Sequence, residues 1–355
     1  MKNTTRHSTL RRGQSMLLRY WKTALTIAVS MAAFSQLALA QVPPASILQI
    51  DVANNVLYAE DTGDVSKFAT DPNVTADSHS GKNFNGGVGV ADIVAVNGQP
   101  VTGTHIRSAV NVGLRPAPVP GQAIADTVRT ALAVFIFEIL KSDGAPIGTI
   151  VTNGFAAGAA PPGAPLTATA GSNFAITGGT GAFLGARGQM EMAANPPGVA
   201  VQRNASITED PANRRLNGGG TQRYIVHLIP MSAPQIVTTA SGPAVFHSDF
   251  SPVTAAKPAK AGEVLIVQAT GLGPTVPGVD PGQPFPTDSL FQVNSPVDVT
   301  VNGRPAEVIN NIGWPGSVDT YRIDFRAPDG TTAGMASIQI TAAWIAGTAV
   351  GISVQ

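Results

Sequence analysis

Apolar and polar residues alternate with a period of two in many short segments, the pattern of β-strands with one buried face. Before residue 230 this pattern predicts strands at residues 47–52, 56–58, 88–96, 101–112, 130–140, 147–155, 174–177, 189–192, 199–207 and 221–229. Asn97-Gly98 separates two of these segments and predicts a hairpin, because both residues tolerate a positive φ. We expect these ten segments, some of them very short, to make up about eight strands, with spacings that suit a barrel or a sandwich.

Residues 130–140 (TALAVFIFEIL) are apolar at nearly every position, so periodicity alone allows a buried helix or a strand. The β-branched and aromatic side chains, with Asp143-Gly144 just after, favour a strand covered on both faces. Glu138 is the one charged residue in this segment. Residues 61–85, 116–121 and 156–165 have no apolar period and predict loops.

The second half of the chain shows the same pattern after a Pro-containing stretch. Strands are predicted at residues 263–269, 297–301, 306–309, 320–326, 336–342 and 348–354. Short strands separated by Gly, Pro and Asn-Gly turns are typical of a β-sandwich. We therefore predict an all-β protein with a first domain at residues 41–230, a linker at 231–242 and a second domain at 243–355.

Composition narrows the classes of function. The chain has no cysteine, which excludes disulfides, thiolate catalysis and Cys-based metal sites. Its 22 basic and 22 acidic residues balance, but six basic residues lie in the first 22 positions, so the chain without residues 1–40 has 16 basic and 22 acidic residues. That excess of acidic residues leaves no basic patch to indicate nucleic-acid binding.

Residues 1–40 have the layout of a secretory signal. A basic region precedes an apolar stretch of about 16 residues that ends in Ala38-Leu39-Ala40, a small-x-small cleavage pattern. The stretch is short for a transmembrane helix, although an uncleaved anchor and a start at Met16 are alternatives. We expect a secreted, periplasmic or cell-surface protein that is cleaved near Ala40.

Residues 174–188 (FAITGGTGAFLGARG) contain five glycines and look at first like a dinucleotide-binding turn. That turn needs a helix directly after the glycines, whose N-terminus holds the pyrophosphate. Here Ala182 shifts Gly185 out of register, and the residues that follow alternate as a strand. The stretch therefore predicts no nucleotide cofactor.

The same residues resemble the GGTGxFxxARG signature of the dirigent and allene oxide cyclase superfamily. The matching positions are Gly178, Gly179, Thr180, Gly181, Phe183, Ala186, Arg187 and Gly188. The resemblance covers about residues 47–229. It implies an eight-stranded antiparallel barrel that holds a small apolar molecule and uses no metal or organic cofactor.

Within such a barrel, the glycines would form a corner and Phe183 would fill the barrel end. Arg187 would point inward or to the rim, where it could stabilise a developing anion or serve as a structural ion-pair partner. Glu138 and Asp92 are further candidates for the ligand pocket, each with an alternative role at an edge or in an ion pair. The histidines are not spaced as metal ligands, so no metal site is predicted.

The second domain resembles the Ig-like, IPT/TIG-related domain found at the C-terminus of many exported bacterial proteins. Matching segments include KAGE at residues 260–263, ATGLGP at 269–274 and YRIDFRAP at 321–328. Asn302-Gly303 predicts a hairpin there. The resemblance implies a structural spacer or adhesion unit with no catalytic residue.

Together these patterns predict an exported protein whose barrel binds a small apolar molecule. Two alternatives stay open. One is a non-catalytic extracellular module that binds a surface or extracellular protein, and the other is a cofactor-free isomerase or cyclase that uses Arg187.

Overall fold

The computed structural model of the protein describes residues 46–60, 84–112, 130–155, 173–206 and 209–355. The predicted signal peptide and most of the predicted loops at 61–85, 116–121 and 156–165 lie outside these residues. Within the described ranges, no helix reaches the length and hydrophobicity that a bilayer-spanning helix requires.

Ten strands and one short 3-10 helix, Pro211–Asn213, are described before residue 230. The strands are β1 (Ser46–Glu60), β2 (Phe84–Val96), β3 (Gln99–Pro100), β4 (Thr102–Val112), β5 (Thr130–Leu140), β6 (Pro146–Phe155), β7 (Asn173–Gly181), β8 (Arg187–Met192), β9 (Arg203–Ser206) and β10 (Gly220–Ile229).

Eight of these strands close into an antiparallel barrel. The order around the barrel is β2, β4, β5, β6, β7, β8, β10 and β1, and β1 pairs back with β2. The short strand β3 pairs with the end of β2, and β9 runs parallel to the last part of β1. The predicted eight-stranded antiparallel barrel and the hairpin at Asn97-Gly98, where φ is 50° and 77°, are thus confirmed.

Three local predictions were wrong. Residues 47–52 and 56–58 belong to one strand, β1, interrupted by a bulge at Asn54, where φ is 52°. Residues 130–140 are covered on one face only, since Leu132 is 48% and Ile136 37% exposed. The described part of residues 199–207 holds only the four-residue strand β9, which lies beside the barrel wall.

The two ends of the barrel differ in their connections. At one end, which we call the Phe183 end, short turns join β2 to β4, β5 to β6 and β7 to β8. At the other, which we call the opposite end, β1, β4 and β6 run into residues 61–83, 113–129 and 156–172, outside the described ranges.

The second region is a curled sheet. Its strands are β11 (Gln235–Ile236), β12 (Thr238–Thr239), β13 (Gly242–Pro243), β14 (Val245–His247), β15 (Val264–Thr270), β16 (Thr275–Val276), β17 (Gln292–Val293), β18 (Val297–Val301), β19 (Arg304–Gly313), β20 (Tyr321–Arg326), β21 (Gly334–Ala342), β22 (Ile345–Ala346) and β23 (Val350–Val354). All but β12 and β13, which pair with each other, belong to one sheet.

This sheet curls around its own apolar core, which includes Val267, Ile323, Phe325 and Ile338. The predicted strand positions agree with the structure, and Asn302-Gly303 forms the predicted turn, with φ of 51° and 73°. The segment expected to be a linker, 231–242, also contributes structure, because β11 pairs with β15.

A turn of the second sheet seals the Phe183 end of the barrel. Ala343, Trp344 and Ile345 belong to the same buried cluster as the barrel interior. The indole Nε1 of Trp344 donates a hydrogen bond of 2.8 Å to Oε1 of Gln99. The interior is therefore closed at this end by side chains from both regions.

Candidate functional site

Aromatic rings fill the middle of the barrel interior. Phe135, Phe137 and Phe174 are fully buried and Tyr224 is 2% exposed, because each occupies an inward position of its strand. The ring centroids of Phe135 and Phe174 are 4.5 Å apart, and those of Phe137 and Tyr224 are 5.0 Å apart. His105 on β4 stacks on Phe137 at 4.5 Å. These five residues are the aromatic cluster.

His105 and Tyr224 form a hydrogen bond with each other within this cluster. His105 Nδ1 lies 3.2 Å from the carbonyl oxygen of Ile136, and its Nε2 lies 3.0 Å from the Tyr224 hydroxyl. A carbonyl can only accept, so Nδ1 donates to Ile136 and Nε2 accepts the hydroxyl proton of Tyr224.

Burial keeps both groups neutral. It lowers the pKa of His105 to about 3, while the bond to Ile136 works against this shift and the charge of Arg107 adds to it. Burial also raises the pKa of Tyr224, against the attraction of the Arg107 charge. Neither group exchanges protons readily near pH 7, so the pair is suited to a structural hydrogen bond rather than to acid–base catalysis.

Arg107 is a charged residue on the inward face of β4. It lies two residues after His105 on β4, so it shares the inward face, and it is partly exposed. Gly89 is its partner on β2, and a Cβ there would lie 3.3 Å from Arg107 Cβ and 3.6 Å from Nε. The absence of a side chain at Gly89 leaves room for the arginine.

Among the described residues, no hydrogen bond or ion pair reaches Arg107, and its Nε is buried without a partner. Burial lowers the pKa of Arg107, against the influence of Tyr224, but an arginine stays protonated inside proteins. Thr152, an inward residue of β6, also has a buried hydroxyl without a partner. Two interior polar groups are thus left unsatisfied.

Small residues adjoin Arg107 on the side of the opposite end. The inward positions there are in register across four neighbouring strands and hold Gly87, Ala109, Ala133 and Gly154. We call these four residues the small-residue wall. They contribute at most a methyl group each, although Ala109 and Ala133 belong to the buried core and the side chain of Leu57 lies close to Gly87.

Arg187 lies elsewhere. On β8, Met190 faces the interior, so Arg187, three positions earlier, faces outward and is exposed. Its Nη1 donates to the carbonyl oxygens of Thr177 at 3.0 Å and Ala186 at 2.9 Å. The structure therefore gives Arg187 backbone contacts at the corner, and it does not bring this residue to the aromatic cluster.

The other sequence candidates are also dispersed. Glu138 is exposed on the outer face of β5. Phe183 is 1% exposed and packs in the barrel core at its end. Asp92 lies on the outer face of β2, where it accepts hydrogen bonds from Arg214 at 2.6 Å, Arg215 at 3.0 Å and Asn54 at 2.9 Å.

The surroundings of Asp92 indicate a structural role. Burial raises the pKa of this carboxyl group, but the hydrogen bonds from Arg215 and Arg214 outweigh burial and hold the pKa well below its usual range. Arg214 also donates to the carbonyl of Asn54 on β1 at 2.8 Å. The ion pairs thus fasten residues 214–215 to the outer surface of β1 and β2.

An outer groove of about 610 Å³ lies on the barrel surface and is lined mainly by β1, β10 and residues 193–196. Its charged groups already pair with each other, since Arg223 Nε lies 2.6 Å from Asp51 Oδ1. Asn195 is likewise occupied, donating to the carbonyl of Thr221 at 2.7 Å. The groove therefore offers a weaker site than the interior.

The interior site escaped sequence reasoning, although one signal was present. In residues 101–112, strict alternation places His105 and Arg107 on the same face as buried Val101 and Ala109. A charged residue at an apolar phase of a predicted strand is unusual and marks a candidate site.

No three His, Asp or Glu side chains within the described ranges are grouped as ligands for a metal ion. Comparisons with models of protein families, with curated proteins and with solved structures found no match to this chain.

Proposed function

We propose that the barrel binds a small apolar molecule in its interior, in front of the small-residue wall. The observation that supports this most is the wall itself, because four adjacent strands present Gly87, Ala109, Ala133 and Gly154 where a filled barrel would need large side chains. Arg107, an inward residue that is partly exposed, indicates that solvent reaches this part of the interior.

The corner at residues 178–188 supports the proposed relation to dirigent and allene oxide cyclase barrels. Gly181 has φ of 61°, and a Cβ at Gly179 would collide with the carbonyl oxygen of Phe183. The glycines therefore serve backbone shape, and the turn they form inserts Phe183 into the barrel end. The resemblance to dirigent and allene oxide cyclase barrels implies the same role for the signature, a corner whose phenylalanine fills the barrel end.

The second region fits an Ig-like spacer in this proposal. It has an apolar core of its own, and its strands pair mainly in antiparallel order. The contact through Trp344 would hold it at the Phe183 end, away from the small-residue wall. With export directed by residues 1–40, the protein would present a binding barrel outside the cytoplasm.

Uptake of a neutral fluorescent probe tests the proposal. N-phenyl-1-naphthylamine should bind the intact protein at one saturable site. Ala109→Leu should remove this binding by filling the space before the wall, because Ala109 faces inward and is only 8% exposed. Ser108→Leu, one residue away on the exposed outer face, is the matched control and should leave binding unchanged.

The opposite result would favour a structural or interaction module without a ligand. A non-saturable response of the wild type, or equal binding by Ala109→Leu and wild type, would exclude the interior site. The urea-induced unfolding of each variant shows whether the leucine has merely disrupted the fold, since overpacking typically costs about 1–3 kcal/mol.

A further inference from the structure

Within the part of the chain that the structure describes, Arg107 has no counter-charge in the interior. The inward positions nearest to it on the neighbouring strands are Gly89 on β2 and Phe135 on β5, which pair with it in register. The next inward residue on its own strand, His105, is neutral and already bonded to Tyr224. A guanidinium held among such groups lacks the partners that buried charges ordinarily have.

We infer that Arg107 is the anion-recognition residue of the barrel and that the ligand is an apolar molecule carrying one carboxylate. This inference rests on the proposed binding function and adds the chemical class of the ligand. The guanidinium has its whole planar fork free among the described residues, and this fork matches a carboxylate with two parallel hydrogen bonds.

The position of Arg107 determines how such a ligand would lie. The arginine is between the aromatic cluster and the small-residue wall, one inward position from Ala109 on the same strand. A carboxylate bonded to it would leave the apolar body of the ligand against Gly87, Ala109 and Ala133. The hydroxyl of Thr152, buried without a partner, is a second polar group of this interior that a ligand could satisfy.

A pair of isosteric probes isolates the contribution of the ligand's negative charge to its affinity for the barrel. 2-Naphthoate and 2-naphthamide have nearly the same shape, but only the first is an anion at pH 7. Because hydrogen bonds to charged groups are stronger than neutral ones, wild type should bind the naphthoate about 10- to 100-fold more tightly than the amide. Titration calorimetry on the full chain measures both dissociation constants.

Variants of Arg107 show whether this residue causes the preference for naphthoate over the amide. Arg107→Met should reduce the preference for naphthoate to about one and leave the affinity for the amide nearly unchanged. Arg107→Lys, which keeps the charge without the fork, should give an intermediate preference. Arg187→Met is the matched control, since Arg187 is exposed and bonded to backbone carbonyls, and should keep the wild-type preference.

The outcomes separate the two proposals. If no probe binds saturably, including N-phenyl-1-naphthylamine, the binding function itself fails. If the probes bind but naphthoate has no advantage, or Arg107→Met keeps that advantage, the inference about the carboxylate is overturned.

A stability measurement tests the alternative that a carboxylate of the chain itself forms an ion pair with Arg107. Without ligand, Arg107→Met should not lower the urea midpoint, because no ion pair is lost and an uncompensated charge is removed. A clear fall of the midpoint in the ligand-free protein would show that Arg107 is paired internally and would also overturn the inference.

Discussion

The four strands β2, β4, β5 and β6 build two different interiors along their length. Toward the Phe183 end β5 presents Phe137 and Ile139, both fully buried, whereas toward the opposite end it presents Ala133. On β4 the inward residues change in the same direction from His105 to Ala109. One part of the barrel interior is built from large side chains and the other from glycine and alanine, and we propose that stability depends on the first part and binding on the second.

Removing a ring from the aromatic cluster should have the largest effect on stability. Phe137 is fully buried and contacts both His105 and Tyr224, so Phe137→Ala should lower the free energy of unfolding by about 3–5 kcal/mol. Ile136→Ala, on the outer face of the same strand and 37% exposed, is the control and should cost much less. Urea denaturation measures both; similar losses would show that the interior is not the principal core.

A smaller effect is expected in the pH dependence of the free energy of unfolding. The pKa of His105 is about 3 in the folded protein, against 6.5 when exposed, so the unfolded state binds more protons between these values. The stability this gives is fully present above about pH 6.5 and is lost as the pH falls toward 3. Wild type should therefore lose about 2 kcal/mol between pH 7 and pH 5 through this residue.

His105→Gln provides the comparison, because glutamine does not titrate in this range. The difference in unfolding free energy between wild type and His105→Gln should shrink by that amount on going from pH 7 to pH 5. Contributions from other titrating groups are common to both proteins and cancel. A difference that stays constant with pH would show that His105 is not held neutral by burial.

Local patterns predicted most of the fold. The alternation in residues 88–96 and 101–112, with Asn97-Gly98 between them, specified a hairpin without any distant information. Closure of the barrel is a long-range property: His105 and Tyr224 meet across 119 positions of the chain, and only the register of eight strands brings them together.

The residues of the predicted site do not come together in the structure, for a related reason. Arg187 is a candidate because it belongs to the glycine-rich signature, but the phase of β8 turns Met190 inward and Arg187 outward. A shift of one residue moves every side chain of a strand to the other face. Sequence reasoning found the corner correctly, whereas the direction of its arginine depended on strand pairing.

Cysteine accessibility tests the contrast between the two interiors most directly, because the chain has no cysteine of its own. Ala109→Cys places a thiol on the small-residue wall, and Ala91→Cys places one next to His105, where Ala91 is fully buried. In the native protein, the thiol at 109 should react with a small alkylating reagent and should be protected by N-phenyl-1-naphthylamine, while the thiol at 91 should react only on unfolding. Equal protection of both thiols without the probe would contradict an accessible binding space in the barrel.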